Sequence, residues 1–176
     1  VLHVLEGDPS HVGDIRILGN TTTRERVIRR ELSIYPGSLL RRSLLLRSQR
    51  DVFATGFFED VQLEFAPGLA PEEVDVLFRV KEKSSVMATA GAGYSSQVGL
   101  TGFVEFGHNN LFGRGQSVSI KLEHGGRREF YDLSFTEPWV FGRPISAGVD
   151  FFNDTATPEI YTVGDGEQSY WQSRMG

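Results

Sequence analysis

The sequence predicts a small α+β domain followed by an antiparallel β-meander of five to six strands, a pattern that favours the wall of a transmembrane β-barrel. In the first half, the apolar pattern has the order strand, helix, helix, strand, strand. After Lys83 the helical spacing disappears, glycine becomes frequent and apolar residues recur at every second position. This change of period predicts two structural units of different kinds.

The composition is that of a folded protein, with 39% hydrophobic and 23% charged residues in a chain of 176. The formal net charge of -5 argues against a nucleic-acid binder, which needs a basic face. The absence of cysteine excludes disulfides and thiolate metal sites. The four histidines are scattered, and neither HExxH nor GxSxG occurs, so we expect no enzymatic activity, no metal and no cofactor.

The first domain is predicted to begin with a strand from His11 to Leu18, whose residues alternate between apolar and polar. A helix should follow, with Thr22 or Thr23 as its cap and Pro36 at its end. The apolar residues that recur there at helical spacing are Val27, Ile28 and Leu32.

A second helix is predicted from Leu40 to Ala54, because apolar residues can line one face and Gly56 supplies a stop. The residues of that face are Leu44, Leu45, Val52 and Phe53. Two strands, from Phe58 to Phe65 and from Val74 to Val80, then complete the domain. We expect a three-stranded sheet covered on one face by two helices.

The second half contains five consecutive segments in which apolar and polar residues alternate. They span residues 86–94, 98–106, 117–123, 131–136 and 145–151, and turn-forming residues separate them. The start of a sixth strand is predicted at 170–176. Short turns between successive alternating strands are typical of an antiparallel meander.

Alternation alone does not decide what the apolar face of this meander contacts. A soluble β-sandwich buries that face against a second sheet, whereas a membrane barrel turns it to lipid. Two features favour the barrel. Charged residues such as Lys121, Glu123 and Asp132 occupy the polar face in mid-strand. Aromatic residues gather near strand ends, as they do at membrane interfaces, and the candidates are Tyr94, Phe112, Trp139 and Phe141.

Several motifs in the chain resemble one protein family. VIRREL (27–32) and TGFFEDV (55–61) resemble a polypeptide-transport-associated (POTRA) domain. VDVLFRVKEK (74–83) resembles the strand that leads into the barrel of BamA-type outer-membrane assembly factors, and GAGYSS, HNNLFGRGQ and FTEPWVFGRP resemble the first strands and turns of that barrel. The resemblance implies a fragment of a longer protein, with the tail of a preceding POTRA domain at 1–9, a POTRA domain at 10–84 and an incomplete barrel at 85–176.

The resemblance also implies a function, which is non-enzymatic participation in outer-membrane β-barrel assembly and insertion. The implied location is the bacterial outer membrane, with the first domain in the periplasm. The implied partners are unfolded outer-membrane proteins, accessory lipoproteins and outer-membrane lipid, without nucleic acid. Two alternatives remain open: a two-partner-type secretion pore that exports a passenger, and a soluble binding module with a β-sandwich.

Two kinds of functional site follow from the resemblance. Clients are expected to pair with exposed POTRA sheet edges. The candidate residues for client or partner binding are Arg29, Arg30, Val74, Val76 and Phe78, of which the two arginines could face a partner lipoprotein or anionic lipid. A solvated helix face is the alternative role of the two arginines. Client strands are expected to enter at a seam beside the first barrel strand, where the small residues are Ala88, Ala90, Gly91, Ala92 and Gly93. Bending at a barrel corner is the alternative role of the two glycines.

Overall fold

The structure is a computed structural model that describes residues 9–96 and 99–156 in full and the backbone of 172–175. It divides into two compact units. The first unit contains the residues up to Ser84 together with Phe112–Arg114, and the second contains Ser85–Leu111 and the residues from Gly115 onward. The predicted domain tail at 1–9 lies outside the described residues except for Pro9.

The first unit has the predicted order of strand, helix, helix, strand, strand. Its elements are β1 (His11–Leu18), α1 (Glu25–Arg29), α2 (Arg42–Ala54), β2 (Phe58–Pro67) and β3 (Glu73–Glu82). The bounds of β1 are those that alternation predicted, and Gly19 ends the strand with a positive φ of 93°.

The three strands form one sheet in the order β1-β3-β2. Strand β3 is central, pairing with β1 in parallel and with β2 antiparallel. A parallel pair needs a crossover between its strands, and the helical segment between β1 and β2 lies within that crossover. The last strand of the unit is therefore enclosed on both sides, while β1 and β2 form the two edges.

A single hydrophobic core holds the first unit together. Fully buried side chains from the sheet, including Val12, Val76 and Phe78, pack with Val27, Ile28 and Val52 from the helices. Burying side chains of this size contributes about 1.5–3 kcal/mol each. Helix α2 has 13 residues, and no helix in the described part of the chain is long and apolar enough to cross a membrane.

Helix α1 is shorter than predicted, and neither threonine caps it. Arg24 is the N-cap residue and makes no side-chain cap bond. The backbone N–H groups of Thr22 and Thr23 instead donate to the carboxylate of Glu82, at 2.9 and 2.6 Å. The carboxylate of Glu82 therefore holds both threonines in the loop before the helix.

Helix α2 buries three of the four residues of its predicted face, since Leu45 and Val52 are buried and Leu44 packs against the core. Phe53 is 52% exposed, whereas Ser48 is fully buried between Leu45 and Val52. The Ser48 hydroxyl donates to the carbonyl of Leu44 at 2.8 Å and accepts the N–H of Ser33 at 2.8 Å. These two bonds satisfy the buried hydroxyl and allow a polar residue to occupy the inner face.

The second unit is an antiparallel meander, as predicted. Its strands are β4 (Val86–Ser95), β5 (Gly99–Leu111), β6 (Gln116–Gly125), β7 (Arg128–Glu137), β8 (Ala147–Ala156) and β9 (Gln172–Met175), and they pair in chain order in one six-stranded sheet. Strand β8 begins at Ala147 rather than Ile145, after a 3₁₀ turn at Val140–Gly142.

Candidate functional site

Three of the residues predicted to bind clients lie on the central strand β3. Val76 and Phe78 are both 0% exposed, and β1 and β2 already occupy the two edges of their strand. A buried side chain on a strand paired at both edges cannot reach an extended polypeptide. The structure therefore corrects the assignment of Val76 and Phe78, which build the core, whereas Val74 is half-buried and lines a surface groove.

The two candidate arginines are both engaged within the first unit. Arg29 forms an ion pair with Glu25 one turn earlier, and it donates to the carbonyl of Ile15 at 3.1 Å. Arg30 lies 3.2 Å from the carboxylate of Glu31, and its side chain is only 13% exposed. Arg29 thus retains an accessible surface, and its role in partner binding stays a prediction.

An apolar groove of about 790 Å³ runs between α2 and the sheet edge at β2. Leucines 45 and 46 of the helix face Leu63 and Phe65 of the strand across it. Leu46 is 46% exposed and Phe65 is 55% exposed. The remaining lining residues are Leu40, Arg42, Gln49, Gln62 and Val74. The floor of the groove is therefore hydrophobic, with polar side chains along its margin.

The backbone of β2 forms one wall of this groove. The side chain of Gln49 donates to the carbonyl of Val61 at 2.6 Å, so that carbonyl points away from β3. In an antiparallel strand the backbone groups of every second residue point to the same side. The N–H and C=O groups of Leu63 and Phe65 therefore point outward as well, along an edge that pairs with no other strand among the described residues.

A carboxylate cradle lies at the end of β3. Glu82 accepts the backbone N–H groups of Thr21, Thr22 and Thr23 at 3.1, 2.9 and 2.6 Å and the hydroxyl of Thr21 at 2.5 Å. Partial burial would raise the pKa of Glu82, but these hydrogen bonds from the threonines lower its pKa to about 2. The loop after β1 is thus held to the last strand of the unit by one charged group.

The sheet of the second unit has its apolar face on the outside. Leu100, Val104, Ile120, Leu122 and Phe151 are all more than two-fifths exposed, at 68, 55, 41, 47 and 63%. The residues that alternate with the apolar ones on β5, β6 and β7 are mostly half-buried. A soluble sheet has the opposite arrangement, whereas a barrel wall facing lipid has this one.

The polar face of this sheet carries a connected row of charged and aromatic side chains. The Lys121 ammonium lies 5.7 Å from the ring centres of both Phe103 and Phe130. The Arg128 guanidinium lies 5.5 Å from the ring centre of Phe130 and pairs with Asp154 at 3.2 Å. Phe103 is the aromatic residue that interrupts the alternation of β5, and this interruption is the sequence signal for the row.

The predicted seam residues all lie on β4, at the edge of the sheet in the described part of the chain. Ala88, Ala90 and Ala92 share the apolar face, while Gly91 and Gly93 share the polar face opposite Phe103 and Thr101. All five are exposed except Gly91, which is half-buried. The strand therefore offers little side-chain surface with which to hold a neighbour.

The four candidate interface aromatics occur at opposite ends of the strands. Tyr94 lies near the C-terminal end of β4 and is 77% exposed. Phe112 and Phe141, 74 and 96% exposed, lie in the connections that follow β5 and β7, as does Trp139. Because a meander reverses direction at each connection, these three belong to the other end from Tyr94.

The motifs HNNLFGRGQ (108–116) and FTEPWVFGRP (135–144) are joined through Glu137. Its carboxylate accepts the side-chain N–H of Gln116 at 2.6 Å and the backbone N–H of Trp139 at 3.0 Å. Within the first motif, the buried side chain of Asn110 accepts the N–H of Gly115 at 2.8 Å. The polar residues of these motifs thus serve as turn-forming residues at the strand ends.

Metal binding and nucleophilic catalysis each require particular groupings of side chains. No group of three or more His, Cys, Asp or Glu residues that could hold a metal ion occurs within 9–96 and 99–156. The charged groups described above form ion pairs and hydrogen bonds along strands, and none is arranged as a nucleophile with a base.

Two family models match the chain. The POTRA model, described as a surface antigen variable number repeat, matches residues 10–83, and the Omp85 superfamily domain matches residues 110–173. The outer membrane protein assembly factor BamA of Neisseria meningitidis serogroup B is 31% identical over 159 residues, which are 90% of this chain and 20% of that protein. The chain spans about a fifth of the length of the curated relatives it matches.

Solved structures match as well. The crystal structure of BamA from Haemophilus ducreyi lacking POTRA domains 1–3 superimposes with a TM-score of 0.77 at 26% identity, over 86% of this chain and 29% of that one. CdiB from Escherichia coli gives a TM-score of 0.60 at 14% identity, over 85% of this chain and 29% of that one, which is a likeness of fold alone.

Proposed function

Since the chain belongs to the Omp85 superfamily, we propose that it takes part in the assembly of β-barrel proteins in the outer membrane, with its POTRA domain in the periplasm. The observation that carries the proposal is the outward-facing apolar surface of the six-stranded sheet, which is suited to lipid. The role is non-enzymatic, and the proposed partners are unfolded outer-membrane proteins, accessory lipoproteins and the lipid itself.

The first step of the proposed function is capture of an unfolded client at the edge of β2. The outward N–H and C=O groups of Leu63 and Phe65 can pair with an extended chain without regard to its sequence. The apolar groove beside them has room for every second side chain of such a strand. Strands of outer-membrane barrels alternate between apolar and polar residues, so one face of each matches this groove.

A proline substitution separates backbone pairing from side-chain contact. Leu63→Pro removes the outward N–H at the edge, where a strand tolerates proline, whereas Leu63→Ala keeps the N–H and removes the side chain. The probe is a fluorescent synthetic peptide of ten alternating apolar and polar residues, titrated into the intact protein in detergent and followed by anisotropy. We expect Leu63→Pro to weaken binding by about tenfold, as loss of one or two backbone hydrogen bonds implies.

The outcome for Leu63→Ala decides the binding mode. A smaller loss for alanine than for proline supports pairing at the edge, because alanine leaves the backbone intact. Equal losses, in variants whose circular dichroism spectra match the parent, would mean that the groove binds side chains alone. Unchanged binding in both variants would exclude the β2 edge as the client site.

The second step is entry of client strands beside β4. Its small side chains contribute few cross-strand contacts, so separation from a neighbour costs little free energy. The chain contains no cysteine, so a single introduced thiol can report proximity without background. We expect Ala90→Cys to cross-link to a stalled client that carries a cysteine in its terminal strand, and Ile120→Cys on the interior strand β6 to remain free of it. Equal yields at the two sites would contradict the seam.

Export of a passenger is the alternative function that shares this architecture. The 31% identity with BamA of Neisseria meningitidis favours assembly over export. Depletion of the protein separates them, because an assembly factor leaves outer-membrane proteins unfolded in the periplasm, whereas an export pore leaves a soluble passenger there. The soluble sandwich is disfavoured by the exposed apolar face, since a sandwich covers that face with a second sheet.

A further inference from the structure

A row of paired residues runs across the polar face of the second unit, from β4 to β8. In register, Gly91 of β4 faces Phe103 of β5, which faces Glu123 of β6. Glu123 faces Phe130 of β7, and Phe130 faces Asp154 of β8. The row therefore begins at a glycine with no side chain of its own and continues through two aromatic rings.

The ring of Phe103 lies over Gly91 and occupies the place where a side chain would be. A methyl group built on Gly91 would lie only 2.6 and 2.8 Å from two atoms of the ring, well inside van der Waals contact. Glycine in a strand normally leaves its backbone open to solvent and forms no cross-strand packing. An aromatic ring from the neighbouring strand compensates for that loss, because it covers the exposed backbone.

The remainder of the row limits where this ring can go. The Lys121 ammonium lies 5.7 Å from the centre of the Phe103 ring and the same distance from that of Phe130. Arg128 in turn lies beside Phe130 and pairs with Glu123 at 3.5 Å and with Asp154 at 3.2 Å. Cation–π contacts of this kind favour a ring that stays beside the cation.

We propose that Phe103 is the positioning residue of the first strand: its ring, held through Lys121 to the row on β6–β8, covers Gly91 and sets how readily β4 separates from β5. The apolar face of β4 carries only alanines near this point. On the polar face, the Phe103 ring over Gly91 and the Thr101 hydroxyl, which donates to the carbonyl of Gly93 at 3.3 Å, attach β4 to β5. The structural part of this inference is independent of the role of β4. Its consequence for client entry rests on the proposed function.

The test is a double-mutant cycle on Gly91 and Phe103 in the intact protein in detergent, read by hydrogen exchange in peptides that cover β4. Phe103→Ala removes the ring, and we expect exchange at 88–93 to rise by about three- to tenfold, the range that an aromatic contact implies. Gly91→Ala displaces the ring and should also raise the exchange rate at 88–93. The double variant should raise this rate by less than the two single effects combined, because the new methyl group then occupies the space that the ring has vacated.

Two further variants distinguish positioning from general stability. Phe106→Ala removes the same side chain from the opposite face of β5, where Phe106 pairs with Ala88 and covers no glycine. We expect it to leave the exchange of β4 close to that of the parent. Phe103→Tyr keeps a ring and should restore slow exchange, whereas Phe103→Leu keeps apolar volume without a cation–π partner and should restore it only in part.

The outcomes separate this inference from the proposed function. Additive effects in the cycle, or equal exchange in Phe103→Ala and Phe106→Ala, would overturn the positioning role. Faster exchange in β4 together with an increased cross-linking yield at Ala90→Cys would support both the positioning role and the seam. Faster exchange with an unchanged yield would support the positioning role and overturn the seam.

Discussion

The two units of this chain place their apolar side chains in opposite ways. Every buried hydrophobic residue in the described part of the chain lies between Val12 and Val80, in the first unit. Most of the large apolar residues described in the second unit are exposed, and Asn110 is the one buried polar side chain among its described residues. The first unit buries its apolar side chains, as a domain in water does, whereas the second exposes them, as a protein surface in contact with lipid does.

Alternation therefore specifies a two-faced strand without specifying the solvent on either face. Apolar and polar residues alternate in β6 and, apart from a register irregularity between Val12 and Ile15, in β1. In β1 the apolar side packs on helices, whereas in β6 it stays outside while the polar side carries ion pairs and cation–π contacts. The decisive signal is the set of partners on the polar face, which a periodicity count does not include.

The largest expected effect is the loss of a core side chain in the first unit. Phe78→Ala removes a fully buried ring, and we expect it to lower the free energy of unfolding by about 3–5 kcal/mol. The measurement is urea unfolding followed by circular dichroism. Phe53→Ala is the matched control, because its ring is 52% exposed on α2 and its loss should cost less than about 1 kcal/mol. Similar costs for the two would contradict the assigned core.

A charge on the outer face of the second unit should have the next largest effect. Ile120→Arg places a guanidinium in the middle of β6, and burial in lipid would destabilise insertion by about 2–4 kcal/mol. Ser119→Arg puts the same group at nearly the same depth on the polar face, where it loses mainly the hydroxyl contact with Ser134. Flotation with lipid vesicles measures the difference. Equal partition of the two variants would show that the outer face does not meet lipid.

The sequence predicted the elements well because hydrophobic periodicity and turn residues are local properties. The order of the first unit, the bounds of β1 and the meander of the second unit all follow from such patterns. The predicted length of α1 and its predicted threonine cap were wrong. Glu82, which lies about sixty residues away in sequence, holds Thr22 and Thr23 in the loop before the helix through their backbone N–H groups.

The candidate sites were less predictable than the fold for the same reason. Val76 and Phe78 were predicted as client contacts because clients were expected to pair with POTRA sheet edges, but strand order decides which strands are edges, and the order puts β3 in the centre. The groove beside β2 requires α2 and β2 to be adjacent, which no local pattern records. Phe103 did leave a signal, since it broke the alternation of its strand opposite a glycine.

The Glu82 cradle provides a pH-dependent test within the first unit. Its pKa of about 2 in the folded state lies below the usual 4.5, so its contribution is complete above pH 4.5 and is lost as pH falls toward 2. We expect Glu82→Gln to cost on the order of 2 kcal/mol at neutral pH, allowing for solvent screening of a partly exposed group. Urea unfolding between pH 7 and about pH 3 should show the difference between the parent and the variant shrinking with acidity.

A second carboxamide substitution controls for the general effect of removing a negative charge. Glu72 is exposed in the segment between β2 and β3. Its backbone carbonyl accepts the N–H of His11, a bond that the substitution of its side chain leaves in place. Glu72→Gln should leave the unfolding free energy nearly unchanged across the same pH range. A constant difference between the parent and Glu82→Gln at all pH values would mean that the cradle does not depend on the carboxylate charge.

The smallest expected effect separates the backbone strain at Phe141 from the role of its ring. Phe141 is 96% exposed and has a φ of 53°, a conformation that costs an L-residue about 1–2 kcal/mol and a glycine almost nothing. Phe141→Ala and Phe141→Gly both remove the ring, but only glycine relieves the strain. We therefore expect glycine to be the more stable of the two by about 0.5–1 kcal/mol in detergent, since its greater unfolded-state entropy offsets part of the gain. In vesicle flotation both variants should partition less well than the parent, because an interfacial aromatic residue has been lost from each. If partition followed stability instead, with glycine equal to the parent, the ring would have no part in the contact with lipid.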